Sequence, residues 1–120
     1  MSHSYPQLID DLNAAIATLR VGAPGPMKAF GGLAREALAP GALDVMTKEL
    51  MAIAIAIATR CDGCIGFHVK AAIRAGATRE QVLETVSLAI YMGAGPSMIY
   101  AAETLRAFDE LGPAGGEPKL

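Results

Sequence analysis

The chain of 120 residues contains no tryptophan, and aromatic residues make up only 5% of it. Apolar residues still account for 52%, a share that many alanines raise. Without large rings, a core must be filled by small and aliphatic side chains, which suit closely packed helices. A chain of this length forms one domain with room for such a core. We therefore expect a single helical domain over 1–120, with residues 1–5 and 112–120 as mobile tails.

Charge is also scarce, and it is not concentrated anywhere along the chain. Charged residues make up 18% of the sequence, and the net charge is −2. No run of basic residues is longer than one or two, whereas proteins that bind nucleic acids or anionic membranes present clustered cations. The sequence therefore predicts neither a nucleic-acid partner nor a membrane partner.

A long apolar run and a secretory signal are both missing. The longest uninterrupted apolar stretch covers residues 50–58, which is far shorter than the roughly 20 residues of a membrane helix. The N-terminal segment Met1-Ser-His-Ser-Tyr-Pro has neither the charged region nor the apolar region of a signal peptide. We therefore expect a cytoplasmic protein.

What the sequence does contain is helical periodicity interrupted by glycine and proline. Apolar residues recur at helical spacing, Gly76 suits a helix C-terminus, and Thr78-Arg-Glu-Gln81 has the spacing of a capping box. Pro96 suits the first turn of a further helix. These signals predict an all-α fold of six helices, at about 6–20, 27–38, 43–59, 62–75, 78–90 and 96–111.

Residues 52–58 alternate alanine and isoleucine, which is also the pattern of a β-strand. The stretch is rich in alanine and continues smoothly from Thr47-Lys-Glu-Leu-Met51, so we favour a helix of about four turns. Such a helix is apolar nearly all round. Short neighbouring helices cannot easily cover it, which predicts self-association.

Four chemically active residues lie within the predicted third helix or follow it: Glu49, Cys61, Cys64 and His68. Cys61, Cys64 and His68 are three and four residues apart, so on a helix they lie within about 60° of one another. A helix start favours a thiolate, and an imidazole can take or give a proton at neutral pH. If the third and fourth helices pack antiparallel, Glu49 comes nearly level with His68, close enough for a direct or water-bridged contact.

Other interpretations of these residues remain open from the sequence. Glu49 could simply face water near a helix start, and the cysteines could be small core residues. A zinc site would need a fourth ligand beside Cys61, Cys64 and His68, and the only other histidine is His3. Proximity to His68 favours Cys64 as the reactive thiol, whereas the helix terminus favours Cys61.

Three segments together resemble a known family. Glu49-x11-Cys61-x2-Cys64-x3-His68, then Ala75-Gly-Ala-Thr-Arg-Glu-Gln-Val82, then Tyr91-Met-Gly-Ala-Gly-Pro96, are similar to the carboxymuconolactone decarboxylase superfamily and its alkyl hydroperoxidase D-like branch. The resemblance covers about residues 27–110. It implies a compact all-α domain that forms homo-oligomers, commonly trimers or hexamers, and needs neither a cofactor nor a metal.

The resemblance also implies a peroxidase. By position, Cys64 resembles the attacking thiol and Cys61 the resolving thiol, with Glu49 and His68 as the proton relay. A small hydroperoxide would be the substrate, and an external dithiol would reduce the resulting disulfide. The branch commonly carries a histidine just before the second cysteine, where this chain has Gly63. The alternatives are a lactone-decarboxylase-type lyase and a helical binding protein whose cysteines are structural or hold zinc.

Overall fold

The computed structural model describes residues 4–112, which form five α-helices and contain no strand. These helices are α1 (Tyr5–Gly22), α2 (Pro24–Leu38), α3 (Val45–Ala58), α4 (Asp62–Arg74) and α5 (Arg79–Leu111). The predicted all-α class is confirmed. The predicted tail residues 1–3 and 113–120 lie outside the described residues.

The stretch of alternating alanine and isoleucine, residues 52–58, forms a helix, as predicted. In α3, Ile53 and Ile57 are fully buried, while Ile55 is 60% exposed. Asp44 caps the helix by accepting a hydrogen bond of 2.8 Å from the amide of Thr47. The core therefore lies on one side of α3, where its isoleucines meet α4 and α5.

The predicted fifth and sixth helices are joined in α5, so the count of six helices is not confirmed, but a kink separates two helical segments where the break was predicted. The helix α5 continues through Ala94, whose backbone is not helical (φ 58°, ψ −144°). The sequence signals near Gly93 and Pro96 therefore mark a kink within a helix of 33 residues. Thr78 and Gln81 form the predicted capping box at its start.

The N-terminus also differs from the prediction of a mobile tail over residues 1–5. Ser4 caps α1 through the amide of Gln7, and Tyr5 is only 1% exposed. The amide of Tyr5 donates a hydrogen bond of 2.7 Å to Glu110 Oε1, near the other end of the chain. The side chain of Tyr5 thus holds α1 against α4 and α5, a contact that no local sequence pattern predicts.

The helix α2 lies at the edge of the domain and has no buried residue. It begins at Pro24 instead of residue 27, because proline fits the first turn of a helix. Lys48 Nζ donates hydrogen bonds to the carbonyl oxygens of Ala37 and Ala39, at 3.0 and 2.6 Å. These bonds tie the end of α2 to α3, the helix that carries Glu49.

Large apolar side chains remain exposed on α3 and α5. They include Met51, Ile55, Leu88, Met92 and Ile99, each at least 48% exposed. Among the described helices, α5 is also long and apolar enough to cross a membrane. The core helix of a soluble protein can have the same length and composition. Self-association and the absence of a membrane partner both stay predictions.

Candidate functional site

The candidate site is built on the short connection between α3 and α4. Thr59 ends α3, and its hydroxyl donates a hydrogen bond of 3.0 Å to the carbonyl of Ile55. Arg60 then takes a left-handed backbone conformation with φ 60°. This tight reversal makes α3 and α4 neighbours in an extensive packing contact, and it places Cys61 at the start of α4.

Cys61 and Cys64 are joined by a disulfide, with their Cα atoms 5.2 Å apart. Cys61 is the N-cap of α4, and Cys61 Sγ accepts a hydrogen bond of 3.2 Å from the amide of Cys64. An amide donor at a helix N-terminus favours negative charge on the sulfur once the disulfide is reduced. The two thiols can therefore pair within one turn of backbone.

Glu49 and His68 form a direct contact across the helix pair. Glu49 Oε1 lies 2.7 Å from His68 Nδ1, so the predicted proximity is a hydrogen bond. Glu49 is only 5% exposed, which makes the alternative of a water-facing acid wrong. Because a carboxylate only accepts hydrogen bonds, Nδ1 is the donor and Nε2 is left to exchange protons. The side chain of His68 is 33% exposed, so this second nitrogen can be reached.

Cys64 and His68 both line a small pocket of about 210 Å³, whereas Cys61 does not. Its other walls come from α3 and the residue that follows it: Ala52, Ile55, Ala56 and Thr59. A reactant in this pocket would lie next to both Cys64 and His68.

Gly63, which replaces the histidine common in the branch that the sequence resembles, lies against α1. A Cβ atom built on Gly63 would come within 2.7 Å of Leu12 Cδ1, too close for an undisturbed contact. In this chain, a side chain of α1 therefore occupies the space that a larger residue at position 63 would need. In the described part of the chain, no three Cys, His, Asp or Glu side chains are grouped to hold a metal ion.

A polar cluster near the disulfide escaped the sequence analysis. The hydroxyl of Tyr5 lies 3.4 Å from Asp62 Oδ1 and 3.5 Å from Glu103 Oε1, and Arg106 lies over the ring at 4.8 Å from its centroid. Burial raises the pKa of Tyr5 strongly, and the negative charges of Asp62 and Glu103 raise it further. These residues are far apart in sequence, so no spacing could have revealed their cluster.

The comparison with protein families decides the assignment. A family model described as the carboxymuconolactone decarboxylase family matches residues 24–107. The chain belongs to this family. Its bonded Cys61–Cys64 pair fits the alkyl hydroperoxidase D-like branch, as the resemblance predicted.

Relatives of known sequence extend this assignment. An uncharacterised protein of Cupriavidus necator is 39% identical over 103 residues, which cover 86% of this chain and 91% of that protein. An uncharacterised protein encoded in the cox locus of Paracoccus denitrificans is 45% identical over 83 residues, covering 69% of this chain and 75% of its own length. Both relatives are described as uncharacterised, so neither indicates an activity for this chain.

Solved structures share the fold. A carboxymuconolactone decarboxylase family protein of Legionella pneumophila superposes with a TM-score of 0.87 at 47% identity, covering 89% of this chain and 96% of its own. A family member from Thermotoga maritima, for which a part in the antioxidative response has been suggested, gives 0.73 at 28% identity, covering 89% and 88%.

Proposed function

We propose that this protein is a thiol-dependent oxidoreductase that reduces hydroperoxides through a cycle of Cys61 and Cys64 between dithiol and disulfide. One observation carries the proposal: the Cys61–Cys64 disulfide lies one helical turn from His68, which is bonded to the buried Glu49. A thiol pair needs a proton acceptor to react at neutral pH and a proton donor for the leaving oxygen. The arrangement supplies all of these groups on two adjacent helices.

In the first step of the proposed cycle, the thiolate of Cys64 attacks the terminal oxygen of a hydroperoxide. An S–O bond forms and the O–O bond breaks, so the sulfur is oxidised to a sulfenic acid and the substrate is reduced to an alkoxide. His68 gives the alkoxide the proton that it took from the thiol, and an alcohol leaves. The shared pocket favours Cys64 for this role, because Cys64 is the cysteine that lines the pocket with His68.

In the second step, the thiolate of Cys61 attacks the sulfenic sulfur of Cys64. The S–S bond forms and the oxygen leaves as water after it takes up a proton. The Cα separation of 5.2 Å lies in the range that such a bond requires. The hydrogen bond from the amide of Cys64 to Cys61 Sγ supports Cys61 as a thiolate at this stage.

The oxidised protein is then reset by an external dithiol, which attacks the disulfide and is itself oxidised to a disulfide. We place the protein in the cytoplasm, where dithiol reductants are maintained. We also propose that it works as a homo-oligomer, a trimer or a hexamer, since copies of the chain would cover exposed apolar side chains such as Met51 of α3 and Ile99 of α5. None of these steps requires a cofactor.

Stopped-flow reaction of the reduced protein with several hydroperoxides tests the proposal, with mass spectrometry to locate the disulfide. The protein should consume peroxide in a saturable reaction and form the Cys61–Cys64 bond. Cys64→Ser should abolish turnover, whereas Cys61→Ser should stop after one equivalent and leave a sulfenic acid at Cys64. If Cys61→Ser loses the initial reaction and Cys64→Ser keeps it, the order of attack is reversed.

Glu49→Gln tests the proton relay. It keeps the size of the side chain but replaces the carboxylate that orients His68, so we expect turnover to fall about a hundredfold with the disulfide still able to form. Glu84→Gln, at an exposed position on α5, is the matched control and should leave turnover unchanged.

Other outcomes would replace the proposal by its alternatives. Stoichiometric zinc in the purified protein, or two thiols that never pair under mild peroxide, would indicate a structural or metal-binding role. Conversion of a lactone substrate that survives Cys64→Ser would indicate lyase chemistry, because such a reaction does not need the thiol.

A further inference from the structure

A second pocket lies between α3 and α5, next to the site described above. Its volume is about 270 Å³, just below the usual range for ligand pockets of drug-sized molecules, so it suits a small ligand. Ile55, Leu88 and Met92 belong to its apolar walls, and Arg60 and Ser97 are the polar residues that line it. Ile55 also borders the pocket of Cys64 and His68, so the two pockets share a wall.

Both polar residues can donate hydrogen bonds to a ligand. Arg60 Nη1 donates to the carbonyl of Ile57 at 2.6 Å and to Ser97 Oγ at 3.2 Å. Arg60 is exposed, so its other donors, Nε and Nη2, can exchange water for a bound group. Ser97 is only 1% exposed, and a hydroxyl group that accepts a hydrogen bond can also donate one. The pocket therefore places a guanidinium beside a buried hydroxyl, which suits a ligand that accepts hydrogen bonds.

Backbone strain is concentrated at the same place. Arg60 (φ 60°) and Ala94 (φ 58°) are the residues other than glycine with positive φ in the described part of the chain. Arg60 lines the pocket, and Ala94 follows the lining residue Gly93. Such conformations are costly for residues with a Cβ and tend to occur at binding and catalytic sites. Here they bring the guanidinium to Ser97 and kink α5 beside the pocket.

We propose that this pocket binds a small molecule with an apolar body and a carboxylate head, the head held by Arg60 and Ser97. A carboxylate only accepts hydrogen bonds, and a guanidinium beside a hydroxyl offers donors together with a positive charge. Tyr100 keeps the guanidinium in place, with its ring centroid 5.5 Å from Arg60 Cζ. The apolar walls receive the rest of the molecule. Lining residues of the pocket carry no carboxylate that would repel the ligand.

Calorimetric titration of the oxidised full-length protein with octanoate tests the proposal, with uncharged 1-octanol as the matched ligand. Octanoate should bind saturably and about tenfold more tightly than 1-octanol, because only its head group gains charge-assisted hydrogen bonds. No peroxide is present in this experiment, so its result does not depend on the proposed redox activity.

Arg60→Gly is the decisive variant, since glycine adopts φ 60° without strain and the fold should be retained. It should weaken octanoate binding about tenfold while leaving 1-octanol binding nearly unchanged. Ser97→Ala should weaken octanoate binding less, in the same direction. Arg74→Ala, at an exposed position at the end of α4, is the control for loss of a positive charge.

Two results would overturn the proposal. If both ligands bind equally and Arg60→Gly changes neither, the pocket selects only apolar surface. If octanoate does not bind and chemical crosslinking joins the segments around Met92 of two copies, a second copy of the chain occupies the pocket instead.

Discussion

The packing of α1 against Gly63 gives the sharpest test of why this chain lacks a histidine before its second cysteine. A Cβ at position 63 would meet the terminal methyl Cδ1 of Leu12 at 2.7 Å. That methyl can rotate away, which costs about 0.5–1.5 kcal/mol, while replacing a helical glycine by alanine gains about 0.5–1 kcal/mol. We therefore expect Gly63→Ala to change the free energy of unfolding by less than about 1 kcal/mol.

Gly63→His should behave differently, because the imidazole extends beyond the Cβ into the space of Leu12. Overpacking of this kind costs about 1–3 kcal/mol. When the histidine is introduced into the Leu12→Ala variant, most of this cost should disappear, which gives a coupling energy of about 1–2 kcal/mol between the two positions. Gly31→His is the control, since a Cβ there meets only Arg35 Nη1 at an ordinary 3.7 Å.

Urea unfolding of the oxidised proteins at one protein concentration measures these differences. The disulfide must be intact in every variant, because its loss would change stability independently. Equal stability of Gly63→His and Gly63→Ala, or a cost that Leu12→Ala does not relieve, would refute the idea that α1 excludes a histidine from this position.

Two further predictions concern buried groups outside the site. Burial and the charges of Asp62 and Glu103 raise the pKa of Tyr5 above its ordinary value of 10.0. The contribution of Tyr5 to stability is therefore complete below about pH 10. It is lost as the pH rises further, because the tyrosine ionises first in the unfolded chain. Unfolding between pH 8 and 11 should therefore show a steeper loss for the native protein than for Tyr5→Phe, and parallel curves would contradict this. A Cβ on Gly93 would overlap Ser97 Oγ, so Gly93→Ala should lower the free energy of unfolding by about 1–3 kcal/mol in a urea titration, whereas an unchanged midpoint would show that α5 adjusts freely.

The features that the sequence predicted correctly are those set by neighbouring residues. The capping box at Thr78, the left-handed Gly76 and the helical character of residues 52–58 all depend on local spacing. The spacing of Cys64 and His68 likewise predicted that both could face one spot, and both line one pocket, whereas Cys61 is the N-cap of the helix and does not line it. The contact between Glu49 and His68 was predicted from a single assumption, that α3 and α4 pack antiparallel. These two helices follow each other in the sequence, so the assumption concerns short-range contacts.

The features that escaped prediction depend on residues far apart in the chain. Tyr5 looked like part of a tail, because the bonds that bury it come from Asp62 and Glu110. The signals around Pro96 indicate a break in the helix but not the direction of the next segment. The two segments of α5 meet at the kink of Ala94, and both pack onto the core, which is a property of the whole fold.

All four candidate groups are carried by a single helical hairpin, from Glu49 in α3 to His68 in α4. Such a segment depends on contacts that are short in sequence, which form quickly during folding because little chain has to be closed. The surrounding helices can then diverge, lengthen or accept insertions without separating acid, ring and sulfurs. The rest of the fold can therefore change while the four candidate groups stay together in one short segment.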